Sequence, residues 1–347
     1  MSSSTLLPRL HPPVRERWRT RLPGGSVRRQ PVTNGTMVAI AVHDRLTALD
    51  AATGQIAWTR RQSRSISEIQ ACGGGPVVTL REGEDLTLAA FGWDGQPLWR
   101  IGCGINGGDD CLRGQGAYLI AVGQPTGPST RQICQVRDAP SGRLILEFPC
   151  EGDPPELFGD RLIWSSREWG GGEGGLWAYG IATRTKHRLL DTGHGARAID
   201  SGVAILETSD DDNRFGRMLA VDLETSAVLW EDAGGPNFSL SAADGLVASM
   251  VAADDTTAAM TLRDVRTGRR LWTAAPVTAD YAVPLLAGDC VLATVDGKRL
   301  ETYDRRDGAL IDVRAKESGV VEGGILTQAG FVDIAGFDAI CLAGAAP

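Results

Sequence analysis

The chain has 347 residues, of which 42% are hydrophobic, and its 35 Lys and Arg against 43 Asp and Glu give a net charge of −8. This composition is typical of a globular protein and excludes a disordered one. No run of Lys or Arg dominates, so we expect neither nucleic acid nor an anionic membrane as a partner. Gly is abundant, at 44 residues, and separates short apolar runs, which predicts many short strands joined by tight turns.

The N-terminal stretch and the cysteines indicate a compartment. Residues 1–25 contain only short apolar pairs among several arginines and lack the continuous apolar core of a signal peptide. The seven cysteines show no CxxC spacing, which argues against a zinc site or a disulfide framework. We therefore expect a cytoplasmic protein with its cysteines in the core; the alternative is a pair between Cys103 and Cys111 across a Gly/Asp-rich loop.

A unit of about 42 residues repeats along the chain. It is clearest in LTALDAATGQIAW, residues 46–58, where Asp50 precedes Gly54 by four positions and Trp58 by eight. The Asp position recurs at 91, 138, 180, 222, 264 and 304, and successive positions lie 40 to 47 residues apart. This period in an all-β sequence predicts four-stranded propeller blades.

Each unit can be divided into four strands, here named A to D. In the first unit they are VRRQPVTN, TMVAIAVH, RLTALDA and QIAWTRR. In the fifth they are ARAIDSG, VAILETS, RMLAVDL and AVLWEDA, and the sixth follows the same order.

The two ends of the chain supply an eighth unit. Trp18 lies 40 residues before Trp58, which predicts a lone D strand at 14–23, and residues 319–343 supply three strands without a D strand. We therefore predict one all-β domain over 1–347, an eight-bladed β-propeller of four-stranded antiparallel blades whose last blade is closed by strands from both termini. Such closure removes free sheet edges, which favours a monomer.

The repeated residues have structural roles in this scheme. Glycines such as Gly54 and Gly268 supply φ > 0 at a turn, and Asp50 and Asp264 accept hydrogen bonds from turn N–H groups. A Trp on strand D packs between neighbouring blades and can pin the turn through its N–H. These tryptophans are Trp18, Trp58, Trp99, Trp230 and Trp272.

The frame Ala48-x-Asp50-x-x-Thr53-Gly54-Gln55-x-x-Trp58 resembles the tryptophan-docking repeat of pyrroloquinoline-quinone-type propellers. The resemblance runs from about Trp18 to Leu342. That superfamily includes quinoprotein alcohol dehydrogenases, the outer-membrane assembly lipoprotein of the barrel-assembly machinery, and propeller domains of actinobacterial kinases. The resemblance implies the fold, because the repeat is structural and occurs in members with unrelated functions.

The same resemblance bears on cofactors. The quinoprotein dehydrogenases use an adjacent Cys-Cys pair, a calcium or lanthanide ion and an Asp base, and this chain has no Cys-Cys dipeptide. The lipoprotein would carry a cysteine near its start, whereas the first cysteine here is Cys72. We therefore expect no bound quinone and no cofactor. Asp210–Asp212 lacks the alternating spacing of a calcium loop, so calcium is the weaker alternative there.

A functional site is expected where the B–C and D–A loops surround one mouth of the channel. Carboxylates, arginines, histidines and aromatics in those loops could bind a polar small molecule or a peptide. The predicted ligand-binding residues are Arg81, Asp109, Arg167, Trp169, Arg197 and Tyr281. Trp169 lies in a Gly-rich insertion, where it forms a lid or a partner contact, or else folds back on its own blade.

Two functions remain open at this point. The first is a binding module for a small molecule, a peptide or a protein. The second is a cofactor-independent lyase, isomerase, cyclase or hydrolase of actinobacterial-type specialised metabolism, with His43 or His194 as general base and Glu168 beside it. The alternative for both histidines is a solvated turn residue. The sequence has no Ser-His-Asp order, HExxH, phosphate loop or CxxC.

Overall fold

The structure is a computed structural model of the chain. It describes residues 15–23, 30–82, 85–107, 111–126, 132–150, 155–166, 175–191, 195–208, 217–232, 237–252, 257–278, 282–295, 299–315, 325–328, 330–335 and 338–343. All regular elements in these residues are β-strands, and no helix there is long and apolar enough to cross a lipid bilayer.

The strands are numbered in chain order. The first nine are β1 (Arg15–Arg21), β2 (Val32–Thr33), β3 (Met37–Val42), β4 (Arg45–Asp50), β5 (Ile56–Arg61), β6 (Ile66–Cys72), β7 (Gly75–Glu82), β8 (Asp85–Phe91) and β9 (Pro97–Gly102). The next nine are β10 (Ile105–Asn106), β11 (Leu112–Gln115), β12 (Tyr118–Pro125), β13 (Ile133–Asp138), β14 (Leu144–Pro149), β15 (Glu156–Phe158), β16 (Arg161–Ser166), β17 (Gly175–Gly180) and β18 (Lys186–Leu190).

The remaining strands complete the chain. They are β19 (Gly195–Asp200), β20 (Val203–Thr208), β21 (Arg217–Asp222), β22 (Val228–Asp232), β23 (Asn237–Ala243), β24 (Leu246–Ala252), β25 (Thr257–Asp264), β26 (Arg270–Thr273), β27 (Val277–Thr278), β28 (Ala282–Ala287), β29 (Cys290–Val295), β30 (Arg299–Asp304), β31 (Leu310–Ala315), β32 (Ile325–Thr327), β33 (Gly330–Ala335) and β34 (Asp338–Ala343).

These strands form eight antiparallel sheets, which are the eight blades of a β-propeller. Blades 1 to 7 are β2–β5, β6–β9, β11–β14, β15–β18, β19–β22, β23–β26 and β28–β31; β10 adds to β12 and β27 adds to β25. Blade 8 has the order β32-β33-β34-β1, so its rim strand comes from the other end of the chain. In that closure Trp18 faces Cys341 and Arg21 faces Asp338. The predicted eight-bladed propeller with a blade shared by both termini is confirmed.

The hydrophobic core lies between the blades. Eight clusters of buried residues occupy the eight blade junctions. Side chains alternate along each strand: Val38 and Ile40 of β3 pack towards blade 8, whereas Ala39 of the same strand packs towards blade 2. All seven cysteines are buried and free, so the alternative of a Cys103–Cys111 pair is wrong; both thiols belong to the core between blades 2 and 3.

The connections differ between the two ends of the blades. The A–B connections contain two or three residues, and each C–D connection of blades 1 to 7 contains five. Because the strands are antiparallel, these connections share one end of every blade, here called the turn face. The B–C and D–A connections share the opposite end, the loop face, and range from two residues (43–44) to ten (22–31).

The C–D turns have a common construction. The Oδ1 atom of Asp50 accepts hydrogen bonds from the backbone N of Ala52 (3.0 Å) and of Thr53 (2.9 Å) and from the Thr53 hydroxyl (2.8 Å). Gly54 follows with φ +72°. Asp264 repeats the arrangement with the backbone and hydroxyl groups of Thr267. One carboxylate thus satisfies several turn donors at once.

Each of five tryptophans crosses to the turn of the following blade. The Nε1 of Trp18 donates to the carbonyl of Ala51 at 2.9 Å, and that of Trp58 donates to the carbonyl of Trp93 at 2.7 Å. Trp99, Trp230 and Trp272 donate in the same way to Ala139, Val265 and Arg305. The contacts therefore join blade pairs 8/1, 1/2, 2/3, 5/6 and 6/7.

The other three junctions are built differently. In blade 3 the Trp position is Leu146, and Phe148 two residues later stacks against Tyr179 of blade 4, with ring centroids 6.0 Å apart. In blade 4 it is Arg188, and Lys186 lies 3.9 Å from the ring centroid of Trp177. In blade 7 it is Asp312, and blade 8 offers no C–D turn, because its C and D strands come from opposite ends of the chain.

Candidate functional site

Most of the predicted site residues lie outside the residues that the structure describes. These are His194, Glu168, Asp109, Arg167, Trp169 and Tyr281, together with the acidic stretch Asp210–Asp212. All belong to B–C or D–A connections. Their roles as ligand-binding or catalytic residues stay predictions.

Three predicted site residues, His43, Arg81 and Arg197, are described, and they lie on blades 1, 2 and 5. All three are exposed. His43 occupies the B–C turn with φ +50°, and its carbonyl accepts a hydrogen bond from the backbone N of Ile66 at 2.6 Å. The neighbouring carboxylate, that of Asp44, lies 2.6 Å from Nε of Arg61. His43 therefore has a structural role in its backbone, and the adjacent acid is already paired.

Arg81 and Arg197 are placed towards the loop face. Nη2 of Arg81 donates to the carbonyl of Gly107 at 3.1 Å, which ties β7 to the segment that follows β10. Arg197 is the extra residue of a β-bulge in β19, the innermost strand of blade 5. A bulge turns a side chain away from the regular alternation of a strand. Both arginines thus bring positive charge to the loop end of their blades, at separate places in the ring.

A polar group that the sequence analysis did not single out, Glu68, links the innermost strands of blades 2 and 3. Its two carboxylate oxygens accept hydrogen bonds from the backbone N of Cys111 (2.8 Å) and of Leu112 (2.7 Å). Glu68 is only 5% exposed. A buried carboxylate with two N–H partners avoids the cost of desolvation without a hydrogen bond. A lone Glu among the apolar residues of ISEIQAC was the available signal.

A second polar link joins blades 3 and 4. Nε of Arg113 lies 3.4 Å from Oε1 of Glu156, the first residue of β15. Burial raises the pKa of Glu156, and the charge of Arg113 opposes that rise. The inner strands of blades 2, 3 and 4 are therefore connected by charged side chains, which fixes the wall of the channel on this side.

The described residues also form a solvent-open cleft of about 390 Å³ between blades 7 and 8. Its lining is mainly apolar, with Thr294 and Gln30 as the polar contributors. The lining residues are Gln30, Val283, Pro284, Leu285, Leu292, Thr294, Leu300 and Phe331. Most of these belong to the loop-face half of blade 7. A concave, mostly apolar surface with a few polar groups is typical of a small-molecule site.

Metal and quinone chemistry can be tested against the same residues. Within the described ranges, no group of three or more His, Cys, Asp or Glu side chains is placed to hold a metal ion. Burial raises the pKa of the Cys72 and Cys111 thiols to about 12, which keeps them protonated. The residues described do not fit a quinone with its metal ion, and we assign no step to such a group.

Comparison with known proteins places this fold among related propellers. No curated protein sequence matches the chain. A solved structure of the computationally designed protein Ika8 is similar, with a TM-score of 0.70, 15% identity, and coverage of 94% of this chain and 98% of Ika8. BamB from Moraxella catarrhalis is similar with a TM-score of 0.66 and 13% identity, covering 95% of this chain and 97% of BamB.

An enzyme structure shares the same architecture. The quinohemoprotein alcohol dehydrogenase ADHIIG from Pseudomonas putida HK5 is similar with a TM-score of 0.61 and 12% identity, covering 96% of this chain and 77% of that enzyme. At these identities the similarity shows the fold alone. A family model described as outer membrane protein assembly factor BamB matches residues 13–102 and 84–311, most of the chain. The protein therefore belongs to that family of pyrroloquinoline-quinone-like β-propellers.

Proposed function

We propose that this propeller is a cytoplasmic binding module that takes a small molecule, a peptide or a protein at its loop face. The supporting observation is the contrast between the two faces. The C–D turns all have one length, whereas the loop-face connections vary several-fold in length from blade to blade. Segments that a fold does not constrain are those free to carry a specific surface.

The cleft between blades 7 and 8 supports the small-molecule form of this proposal. It is the described concavity nearest the loop face of those blades, and its apolar lining suits a ligand with an apolar body and one or two polar groups. Family membership supports a binding role more generally, since the family is that of an assembly factor.

The test begins with the bound species. The protein is isolated from its source under native conditions, and native mass spectrometry together with in-cell cross-linking identifies the molecule or partner that it carries. Two variants then replace 209–216 and 167–174 each by an Asn-Gly turn. A matched control changes two exposed turn-face residues, Arg269→Ala and Arg306→Ala.

We expect at least one loop variant to lose about tenfold in affinity and the turn-face control to stay within about twofold. Retained binding in both loop variants, with loss in the turn-face control, would contradict the proposal. Thermal unfolding of each variant establishes that the ring is intact.

The cytoplasmic assignment is part of the proposal and has its own support. Seven buried free cysteines suit a reducing compartment. Fusions of the full chain to green fluorescent protein and to alkaline phosphatase separate the compartments, because the first reports on the cytoplasm and the second on export. Phosphatase activity without fluorescence would overturn the assignment.

A further inference from the structure

Positive charge is concentrated on the outer wall of three consecutive blades. The rim strands of blades 8, 1 and 2 are β1, β5 and β9. They contain seven arginines and a single carboxylate, that of Glu16. The five other rim strands contain four Lys or Arg and four Asp or Glu. The chain as a whole has a net charge of −8, so this wall differs in sign from the molecule that carries it.

These seven residues are here called the arginine band. Four come from β1, Arg15, Arg17, Arg19 and Arg21. The other three are Arg60, Arg61 and Arg100. All seven are exposed, and the side chains of Arg21 and Arg61 are 71% and 75% exposed.

Nearby carboxylates do not cancel this charge. Glu16 lies 2.9 Å from Arg19, Asp338 lies 3.3 Å from Arg21, and Asp44 lies 2.6 Å from Arg61. Three carboxylates against seven arginines leave the band clearly positive. Exposed ion pairs of this kind contribute little and exchange readily with other partners.

Part of the band is held in place by the protein. Nε of Arg60 donates to the carbonyl of Gly95 at 2.9 Å, and Nη2 of Arg100 lies 3.4 Å from the hydroxyl of Ser63. Each of these contacts orients a guanidinium whose remaining N–H groups can still donate. Such a group loses less conformational entropy when it binds an anion.

Apolar side chains lie in the same strands. Ile56 of β5 is 45% exposed and Leu98 of β9 is 49% exposed. The outer backbone edge of a rim strand can also pair with an extended chain. Arginines, exposed aliphatic groups and strand edges together match a polypeptide that carries both carboxylates and apolar side chains.

We propose that the arginine band docks an acidic, partly apolar segment of a protein partner, at a surface separate from the loop face. Nucleic acid is the poorer fit for two reasons. The molecule is negatively charged as a whole, which repels a polyanion at long range. Exposed aliphatic side chains offer nothing to a phosphate backbone, whereas a peptide can cover them.

The test measures fluorescence anisotropy with three labelled probes. The first is a twelve-residue peptide with Glu or Asp alternating with Leu or Val, the second replaces its acidic residues by Lys, and the third is an oligothymidylate of the same negative charge. The full-length protein is titrated at about 50 mM and about 300 mM NaCl, which differ severalfold in screening.

The variants are matched in charge change. The band variant combines Arg15→Gln, Arg21→Gln and Arg61→Gln. The control combines Arg269→Gln, Arg270→Gln and Arg314→Gln, on blades 6 and 7. If the triple band variant does not fold, the single changes Arg15→Gln and Arg61→Gln replace it.

We expect the band variant to bind the acidic peptide about tenfold more weakly and the control to change by less than about twofold. Salt should weaken the wild-type complex about tenfold, and the Lys peptide should not bind. The proposal is overturned if the control loses as much as the band variant, if the oligothymidylate binds as tightly as the acidic peptide, or if the acidic peptide does not bind.

Discussion

The indole ring of Trp230 lies directly on Gly268 of the following blade. A Cβ atom built on Gly268 would come within 2.5 Å of that ring, and Gly268 has φ +67°. The other four docked tryptophans also cover a glycine. Where the docking position is Leu146 or Arg188, the turn residue is Arg184 or Ser226, both with positive φ. The ring and the missing side chain thus occur together at every one of these turns.

The first prediction concerns that pair. Gly268→Ala should lower the free energy of unfolding by about 2 to 4 kcal/mol, because the new methyl group meets Trp230 and because Ala disfavours this φ. Urea unfolding followed by Trp fluorescence measures the change.

The matched control is Ser226→Gly, at the same turn position one blade earlier. Ser226 has φ +62° and no tryptophan above it. We expect stability to be unchanged or raised by up to about 1 kcal/mol, because Gly relieves the backbone conformation but also gains freedom in the unfolded chain. Equal losses in both variants would show that the Trp contact is not the cause.

The second prediction concerns the closing blade. Trp18→Ala should cost about 3 to 5 kcal/mol, as for truncation of a large core side chain. It should also raise hydrogen exchange selectively in β1 and β34, because β1 is held to blade 8 by pairing and packing rather than by a C–D turn.

Trp58→Ala provides the comparison for the closing blade, since Trp58 belongs to a blade whose four strands are contiguous in sequence. Its exchange profile should leave β1 protected. Unchanged exchange of β1 in Trp18→Ala would refute the role given to Trp18.

The third prediction is a dependence on acid. The backbone N–H of Thr225, followed by the Thr225 hydroxyl, lowers the pKa of Asp222 to about 2. The hydroxyl and backbone N–H of Thr53 lower the pKa of Asp50. An unfolded Asp has a pKa of about 3.9. The stabilisation is therefore complete above that value and is lost as the pH falls from about 4 towards 2.

Unfolding free energies measured from pH 6 down to pH 2.5 test the sign. Asp222→Asn should be less stable than wild type at neutral pH and should lose less stability across the acid range. The same slope in both proteins would mean that Asp222 does not contribute through its charge.

The fourth prediction concerns the thiols. Burial raises the pKa of Cys103 and of Cys290 to about 11, and that of Cys72 to about 12. A protonated, buried thiol reacts slowly. A thiol reagent should therefore label almost nothing in the folded protein and all seven cysteines after denaturation without reductant. Fewer labelled cysteines would reveal a disulfide.

Much of the fold could be predicted because it is written repeatedly. Asp, Gly and Trp recur at fixed offsets, and each copy reinforces the strand assignment of the others. The junctions without Trp were harder. Phe148 meets Tyr179 across two blades, and Lys186 lies over Trp177 across two strands, so neither contact has a local spacing that reveals it.

The site was less accessible from sequence for a related reason. Glu68 binds backbone groups more than forty positions away, and only the closed ring brings them together. The arginine band is likewise assembled from β1, β5 and β9, none of which contains a continuous basic run. Site residues on irregular loops carry no periodic signal, so their prediction rested on residue type alone.

The split blade makes the order of the chain separable from the order of the ring. β34 and β1 lie side by side, with Ala343 opposite Arg15. A five-residue turn joining them would give blade 8 the C–D connection that the other blades have, and new ends could then be opened at 62–65, between blades 1 and 2. In such a circular permutant Asp312 would face a turn for the first time, and Asp312→Trp would have a surface on which to dock.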